Sequence, residues 1–173
     1  MERIAEFSKV SSEIFTEQAC ERLGMSVEQA KAAYAAIKLP KRATAGSAGY
    51  DFYLPCDLKL AAGETVCIPT GIRAKMDIAW VLMIFPRSGL GFKYRLQLDN
   101  TVGIIDSDYY YSDNEGHIMI KLTNCSNTGS SAGKTIELEA GKGFAQGVFL
   151  QYGITIDDAA DGIRNGGFGS TSK

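Results

Sequence analysis

Trp80-Val81-Leu82-Met83-Ile84-Phe85 is apolar at every position and breaks off sharply into Pro86-Arg87-Ser88-Gly89-Leu90-Gly91. An apolar run too short for a helix, with no polar face, reads as a strand buried in the middle of a sheet. Residues 86–91 put a guanidinium, a hydroxyl and closely approachable backbone N–H groups at one strand end, a reasonable cradle for phosphate. Gly89-Leu90-Gly91 alone does not make a dinucleotide fingerprint, because no dinucleotide-binding helix pattern comes after it.

Working outward, Tyr50 to Leu54, Glu64 to Ile68, His117 to Leu122, Thr135 to Leu138 and Phe144 to Tyr152 are further short β-favouring runs. Segments rich in Gly, Asn, Asp and Ser separate them. Helices do not alternate with these runs, so a parallel βαβ sheet is disfavoured and a β-sandwich or barrel expected. The first residues differ. Phe15, Ala19 and Leu23 recur at helical spacing before Gly24, and Ser26-Val27-Glu28-Gln29 fits a capping box ahead of the stripe Ala30, Ala33, Tyr34 and Ile37. This predicts a mainly β fold with two short N-terminal helices. Its parts are an extension over residues 1–38 packed on the core, a core over 39–161 and a flexible Gly-rich arm over 162–173.

Composition narrows the function. The chain has 173 residues, 45% hydrophobic and 22% charged, with a net charge of −2, enough for one domain with a real core and without a basic face for duplex DNA. Cys20, Cys56, Cys67 and Cys125 form no CxxC pair, no zinc-like spacing occurs, and the start Met1-Glu2-Arg3 does not read as a secretory leader. Free thiols in a cytoplasmic protein are the expectation. No apolar run approaches the ~20 residues of a membrane helix. The one histidine, His117, opens the alternating run to Leu122 and is expected on a strand. It cannot build a His-rich metal site.

Two other stretches have chemical potential. In Gly103-Ile104-Ile105-Asp106-Ser107-Asp108-Tyr109 a carboxylate comes after two branched apolar residues where a strand leaves the core. Such a group can orient water as a general base, Asp108 can ligate a hard cation, or the segment is a polar turn. Near the end, Arg164-Asn165-Gly166-Gly167-Phe168-Gly169-Ser170-Thr171 gathers an arginine fork, backbone that approaches phosphate closely and one flat ring. Such a segment buries little, so it makes sense if a ligand orders it.

Together with Ser47-Ala48-Gly49-Tyr50-Asp51 and Ala145-Gln146, these segments make five motifs in an order that resembles the homotrimeric dUTPases, over roughly residues 38–173. The resemblance implies a jelly-roll-type β-barrel and three active sites shared among three chains. It implies Mg²⁺-dependent hydrolysis of dUTP to dUMP and pyrophosphate, limiting uracil in DNA and supplying dUMP for thymidylate synthesis. Asp106 would orient the water that attacks the α-phosphorus, and Tyr109 would pack under the deoxyribose and exclude a 2′-hydroxyl. The backbone around Asn100 to Tyr109, Gly103 and Ile105 included, would read the uracil edge and leave no space for thymine's methyl. Arg87, Ser88, Gly89 and Gln146 would contact the triphosphate, Arg164 the outer phosphates, and Phe168, with Gly169 and Ser170, would close over the site from a neighbouring chain. Asp51 would support the phosphate and metal region, with Mg²⁺ held mainly by the triphosphate.

Several features depart from the family pattern, among them the position of Arg164 one residue nearer the glycines, Ser172 in place of a frequent Gly and the added N-terminal helices. Tyr110 to Gly116 lengthens the hairpin after Tyr109, and Gly143 stands where an Arg is common, with Lys142 beside it. The alternatives are a nucleotide-gated binder of a regulatory protein partner, using the extension or the long hairpin, and dCTP deamination, which the Asp106-Ser107-Asp108-Tyr109 block disfavours.

Overall fold

Strand β1 (Ala5–Lys9) opens the chain and pairs antiparallel with β6 (Ile72–Met76), so the first ordered element belongs to a sheet. This computed structural model describes residues 2–126 and 132–166. Two helices come next, α1 (Ser12–Leu23) and α2 (Val27–Ala36). The Ser11 hydroxyl caps α1 by accepting from the Ile14 N–H, and Gly24 ends it at φ 64°. Both bonds of the expected capping box are present in α2: Gln29 N–H to the Ser26 hydroxyl, and Ser26 N–H to Gln29 Oε1. Val10, Phe15, Ala19 and Ala30 form a small core of their own, flanked by Tyr34 and Ile37, and α1 lies against β5 (Thr65–Pro69).

The remaining strands are β2 (Lys41–Arg42), β3 (Tyr50–Tyr53), β4 (Leu58–Leu60), β7 (Trp80–Pro86), β8 (Leu96–Leu98), β9 (Gly103–Ile105), β10 (Met119–Asn124), β11 (Ile136–Leu138) and β12 (Gly143–Gln151). Every pairing among the described residues is antiparallel. The largest sheet runs β2-β3-β12-β7-β9, a second β5-β10-β8, and β1-β6 and β4-β11 are two-stranded. The all-apolar run is therefore a central strand, with β12 on one side and β9 on the other. Leu82 and Ile84 point from it into a core shared with Phe52, Ile120, Leu122, Ile136 and Phe144. Gly147 on β12 makes room for them, since a Cβ there would sit 2.8 Å from the Leu82 side chain.

The mainly β architecture with two N-terminal helices is as expected, with two local differences. A third helix, α3 (Ser88–Tyr94), comes after β7. Two glycines in seven residues lower its intrinsic propensity and hid it from pattern reading. His117 is not on a strand: β10 starts at Met119, and Gly116 at φ 69° turns the chain so that the His117 N–H donates to Asn114 O.

Candidate functional site

Strand β7 has a different polar cluster at each end. Beyond its C-terminal end, Arg87, Ser88 and Gly89 line a cavity of about 310 Å³ with Leu90, Leu138, Lys142 and Gly143. Arg87 Nε stands 3.3 Å from Asp51 Oδ1, and its Nη1 donates to Gly143 O at 3.4 Å. Gly143 is what lets the guanidinium lie there, because a Cβ at that position would come 2.7 Å from Nη1. Gln146 pairs across to Asp51 and Phe85 and donates to Pro86 O at 3.3 Å. Gly49, in the first motif, admits the Gln146 amide: a Cβ there would meet Oε1 at 2.7 Å. Thus Arg87, Ser88, Gly89, Asp51 and Gln146, scattered over almost a hundred positions, meet where β3, β7 and β12 end together.

At the other end of β7, β9 and the turns around it enclose a cavity of about 460 Å³. Asn100, Gly103, Ile105, Asp106 and Tyr109 line it, with Ile84, Leu98 and Arg164. Gly103 pairs with Ile84 and has no space for a side chain, a Cβ there being 2.9 Å from Ile84 Cβ, so backbone forms that part of the wall. Tyr109 is 5% exposed. Its hydroxyl donates to His117 O and accepts from Asn114 Nδ2, each at 2.8 Å, and burial pushes the phenol pKa up. Asp106 precedes the 3₁₀ turn Ser107–Tyr111 in an extended conformation, its half-exposed carboxylate at the mouth of the cavity. Arg164 spans the acidic pair, with Nη2 2.5 Å from Asp106 Oδ2 and Nε 2.8 Å from Asp108 Oδ1.

The two clusters do not meet within one chain. Ile105 pairs with Leu82, whereas Arg87 comes directly after Pro86 at the far end of the strand. At ~3.3 Å per residue this separation is roughly 17 Å, too far for Arg87 and Asp106 to serve one phosphate. Arg164 lies with the acidic pair rather than with Arg87. Phe168, Gly169 and Ser170 lie outside the described residues.

The dUTPase family model matches residues 35–172, spanning both clusters. The chain belongs to the dUTPase family. It is 39% identical to the deoxyuridine 5′-triphosphate nucleotidohydrolase of Lactococcus lactis over 140 residues, covering 79% of this chain and 89% of that protein. The corresponding protein of Hahella chejuensis is 42% identical over 143 residues, covering 78% and 87%. The crystal structure of the dUTPase from Streptococcus mutans superposes with a TM-score of 0.62 at 35% identity, covering 88% of this chain and 98% of that one.

For a member of the dUTPase family, the fit to a divalent metal rests on few donors. Among the described residues no group of three His, Cys, Asp or Glu side chains is gathered, and Asp51 is already paired with Arg87. These residues suit a cation carried by phosphate oxygens better than one caged by protein. Sequence reading passed over Arg73, Asn114 and Glu115, whose contacts converge on Tyr109 and the loop after it. The only signal for them was the extra length of that loop.

Proposed function

We propose that this chain is a dUTP diphosphatase that hydrolyses dUTP to dUMP and pyrophosphate, lowering the dUTP available for incorporation into DNA and supplying dUMP. The observation that carries this reading is the cavity in which Asn100, Gly103, Ile105 and Tyr109 form the wall and Asp106 the mouth. In this reading the Asn100–Ile105 backbone binds the uracil edge, and Tyr109 lies under the deoxyribose, where a 2′-hydroxyl does not fit. Asp106 holds a water and takes its proton as the water oxygen attacks the α-phosphorus. The bond from that phosphorus to the bridging oxygen breaks and pyrophosphate leaves. Arg87, Lys142 and the Ser88-Gly89 backbone meet the negative charge, with Gln146 holding the strand ends together. Mg²⁺ on the triphosphate oxygens supplies charge neutralisation when bound, and Asp51, through Arg87, supports that region.

The separation along β7 favours a site shared between chains in a homotrimer: Asp106 and Tyr109 come from one copy, and Arg87 and Ser88 from another. A second feature agrees. Leu150, Tyr152, Ile154 and Ile156 occupy every second position of the sequence from the end of β12 to the turn at Ile156 and are all exposed, Ile154 by 74%. Beyond Gln151 that segment has no strand partner among the described residues. Arg164 and Phe168 then act from the C-terminal arm, Arg164 on the outer phosphates and Phe168, with Gly169 and Ser170, over the uracil. Cytoplasmic residence fits the substrate, and no helix among the described residues is long and apolar enough to cross a membrane. The extension and the long loop after Tyr109, which raised the partner-binding alternative, contact each other within the chain through Ser11 and Glu115.

The test is pyrophosphate release with Mg²⁺ from dUTP, dTTP, dCTP and UTP in parallel. Selective turnover of dUTP supports the proposal. Absence of turnover in a preparation that binds dUTP overturns hydrolysis, and ammonia release from dCTP would point to deamination.

A further inference from the structure

The expected hairpin is instead a loop: Tyr110 to Gly116 continues the 3₁₀ turn between β9 and β10, which lie in different sheets, and folds back on Tyr109. Asn114 Nδ2 donates to the Tyr109 hydroxyl at 2.8 Å, Asn114 Oδ1 accepts from the Gly116 N–H at 3.2 Å, and Asn114 O accepts from the His117 N–H at 3.1 Å. The acceptor role of Oδ1 orients the amide, so the NH₂ group faces the phenol. Gly116 sits at φ 69°, and a Cβ there would lie 2.7 Å from both Tyr109 O and Tyr110 Cα, so the turn closes directly against the backbone of Tyr109.

The turn is also anchored from outside. Glu115 holds a left-handed φ of 59°, which a non-glycine residue adopts only when its surroundings over-determine it. Two contacts do so. Glu115 Oε2 accepts from the Ser11 N–H at 2.7 Å, where α1 begins, and stands 3.8 Å from Arg73 Nη1. The Arg73 guanidinium lies 3.6 Å above the Tyr110 ring and donates to Tyr110 O at 3.1 Å. The loop is thus clamped between β6 and the α1 N-terminus, and Asn114 is its side-chain donor to Tyr109 in the nucleoside cavity's wall.

We infer that Asn114 is a positioning residue for sugar discrimination: it fixes the Tyr109 phenol beneath the deoxyribose. Glu115, Arg73 and Ser11 hold Asn114 in register. This rests on the dUTP reading above. Without the Asn114 donor the buried phenol is held through His117 O alone, and a ring with room to shift admits a 2′-hydroxyl. The effect is therefore larger on the choice of sugar than on the chemical step.

The test uses the full chain. Asn114→Asp has no donor for Tyr109 and Asn114→Ser has a hydroxyl too short to reach it, while each keeps an acceptor oxygen for the Gly116 N–H. The expected result is a fall of about five-fold, the scale of one hydrogen bond, in the dUTP-to-UTP ratio of kcat/KM. KM for dUTP should rise while kcat changes less. In a Tyr109→Phe background, where the phenol oxygen is gone, the same substitutions should change the ratio by less than about two-fold. An unchanged ratio in folded Asn114→Ser and Asn114→Asp overturns the inference, as does an equal fall with and without the Tyr109 hydroxyl. If the wild-type chain turns over no dUTP, the proposed function fails. Binding of the α,β-imido analogues of dUTP and UTP to the same proteins then decides the inference: loss of the sugar preference upholds it, and retention overturns it.

Discussion

Arg164 Nη2 approaches Asp106 Oδ2 to 2.5 Å while its Nε holds Asp108 Oδ1 at 2.8 Å, so one guanidinium covers both carboxylates beside the cavity that Tyr109 and Asp106 line. A carboxylate so held is fixed in direction and remains half exposed to water. Asp106→Asn keeps the size and an oxygen acceptor and removes the proton-accepting charge. Turnover of dUTP should fall by roughly 10² or more, the usual scale for a lost general base. Binding of the imido analogue should stay within a few-fold of wild type. Steady-state kinetics beside titration calorimetry checks this, and near-normal turnover would place the base elsewhere.

Among the described residues beyond Gly162, Ile163 is exposed and Arg164 reaches Asp106 and Asp108, and none belongs to either apolar core, so cutting after Gly162 removes Arg164 and the arm. The truncated chain should keep its assembly and melt within a few degrees of the full one, and lose most of its activity. Light scattering, thermal unfolding and a pyrophosphate assay on one preparation separate the two effects. An unfolded product would contradict this division of labour.

Legibility depended on how local each signal was. β7 could be read because its apolar side chains fill six consecutive positions, Leu82 and Ile84 on the fully buried face, and α2 because its cap and stripe are contiguous. β1 (Ala-Glu-Phe-Ser-Lys) and β6 (Ile-Arg-Ala-Lys-Met) exist through pairing with each other across some sixty positions, and neither stands out alone. The site divides in the same way. Asn100, Gly103, Ile105, Asp106 and Tyr109 lie within ten positions and line one cavity. Asn114 and Glu115 reach theirs through two successive positive φ angles and a contact with Ser11, which no local pattern announces. Equally, motif order gave no hint that β7 holds the two polar clusters apart.

Gly71 joins the N-terminal helices to the β core. Its N–H donates to His117 Nε2 at 2.7 Å and its carbonyl accepts from the Val10 N–H, at φ 70°. A Cβ there would lie 2.2 Å from Ile37 Cδ1 and 3.1 Å from the Phe15 ring. The Ile37 terminus can rotate away, but the left-handed backbone remains strained for alanine. Gly71→Ala should therefore cost about 1–3 kcal/mol, read as a lower urea midpoint at unchanged slope. A midpoint equal to wild type would show that the backbone relaxes.

His117 is fully buried beside Phe15, and burial lowers its pKa to about 4 against the opposing pull of Glu115. Its Nε2 accepts from Gly71, so the proton of the neutral ring sits on Nδ1. The unfolded chain takes up a proton below about 6.5 and the folded one only below about 4. Stability from this group is thus complete above pH 6.5 and lost as pH falls from 6.5 towards 4, by about 3 kcal/mol in all. Glu115, whose carboxyl is held below its ordinary 4.5, loses its contribution only at lower pH still. Urea midpoints between pH 7 and 4.5 should show this slope, and His117→Gln should flatten it. A slope surviving the substitution would assign it to other groups.

Leu150, Tyr152, Ile154 and Ile156 are apolar and exposed at every second position of the sequence after the middle of β12, while the Tyr152 N–H and hydroxyl are held by Ala79 O and Ile78 O. Alternation without a covering layer costs apolar surface on every second residue unless another chain supplies one, and burying each isoleucine side chain is worth about 1.5–3 kcal/mol. Ile154→Asp with Ile156→Asp places two charges on that stretch and leaves the core of the single chain untouched. Wild type should sediment as a trimer, and the double variant as a folded monomer with the circular dichroism of the parent. If the site is shared, activity should disappear with the trimer, because Arg87 and Asp106 of one copy lie at opposite ends of β7. A monomer that retains turnover would show that one chain completes the site alone, and a variant that stays trimeric would move the interface to another face.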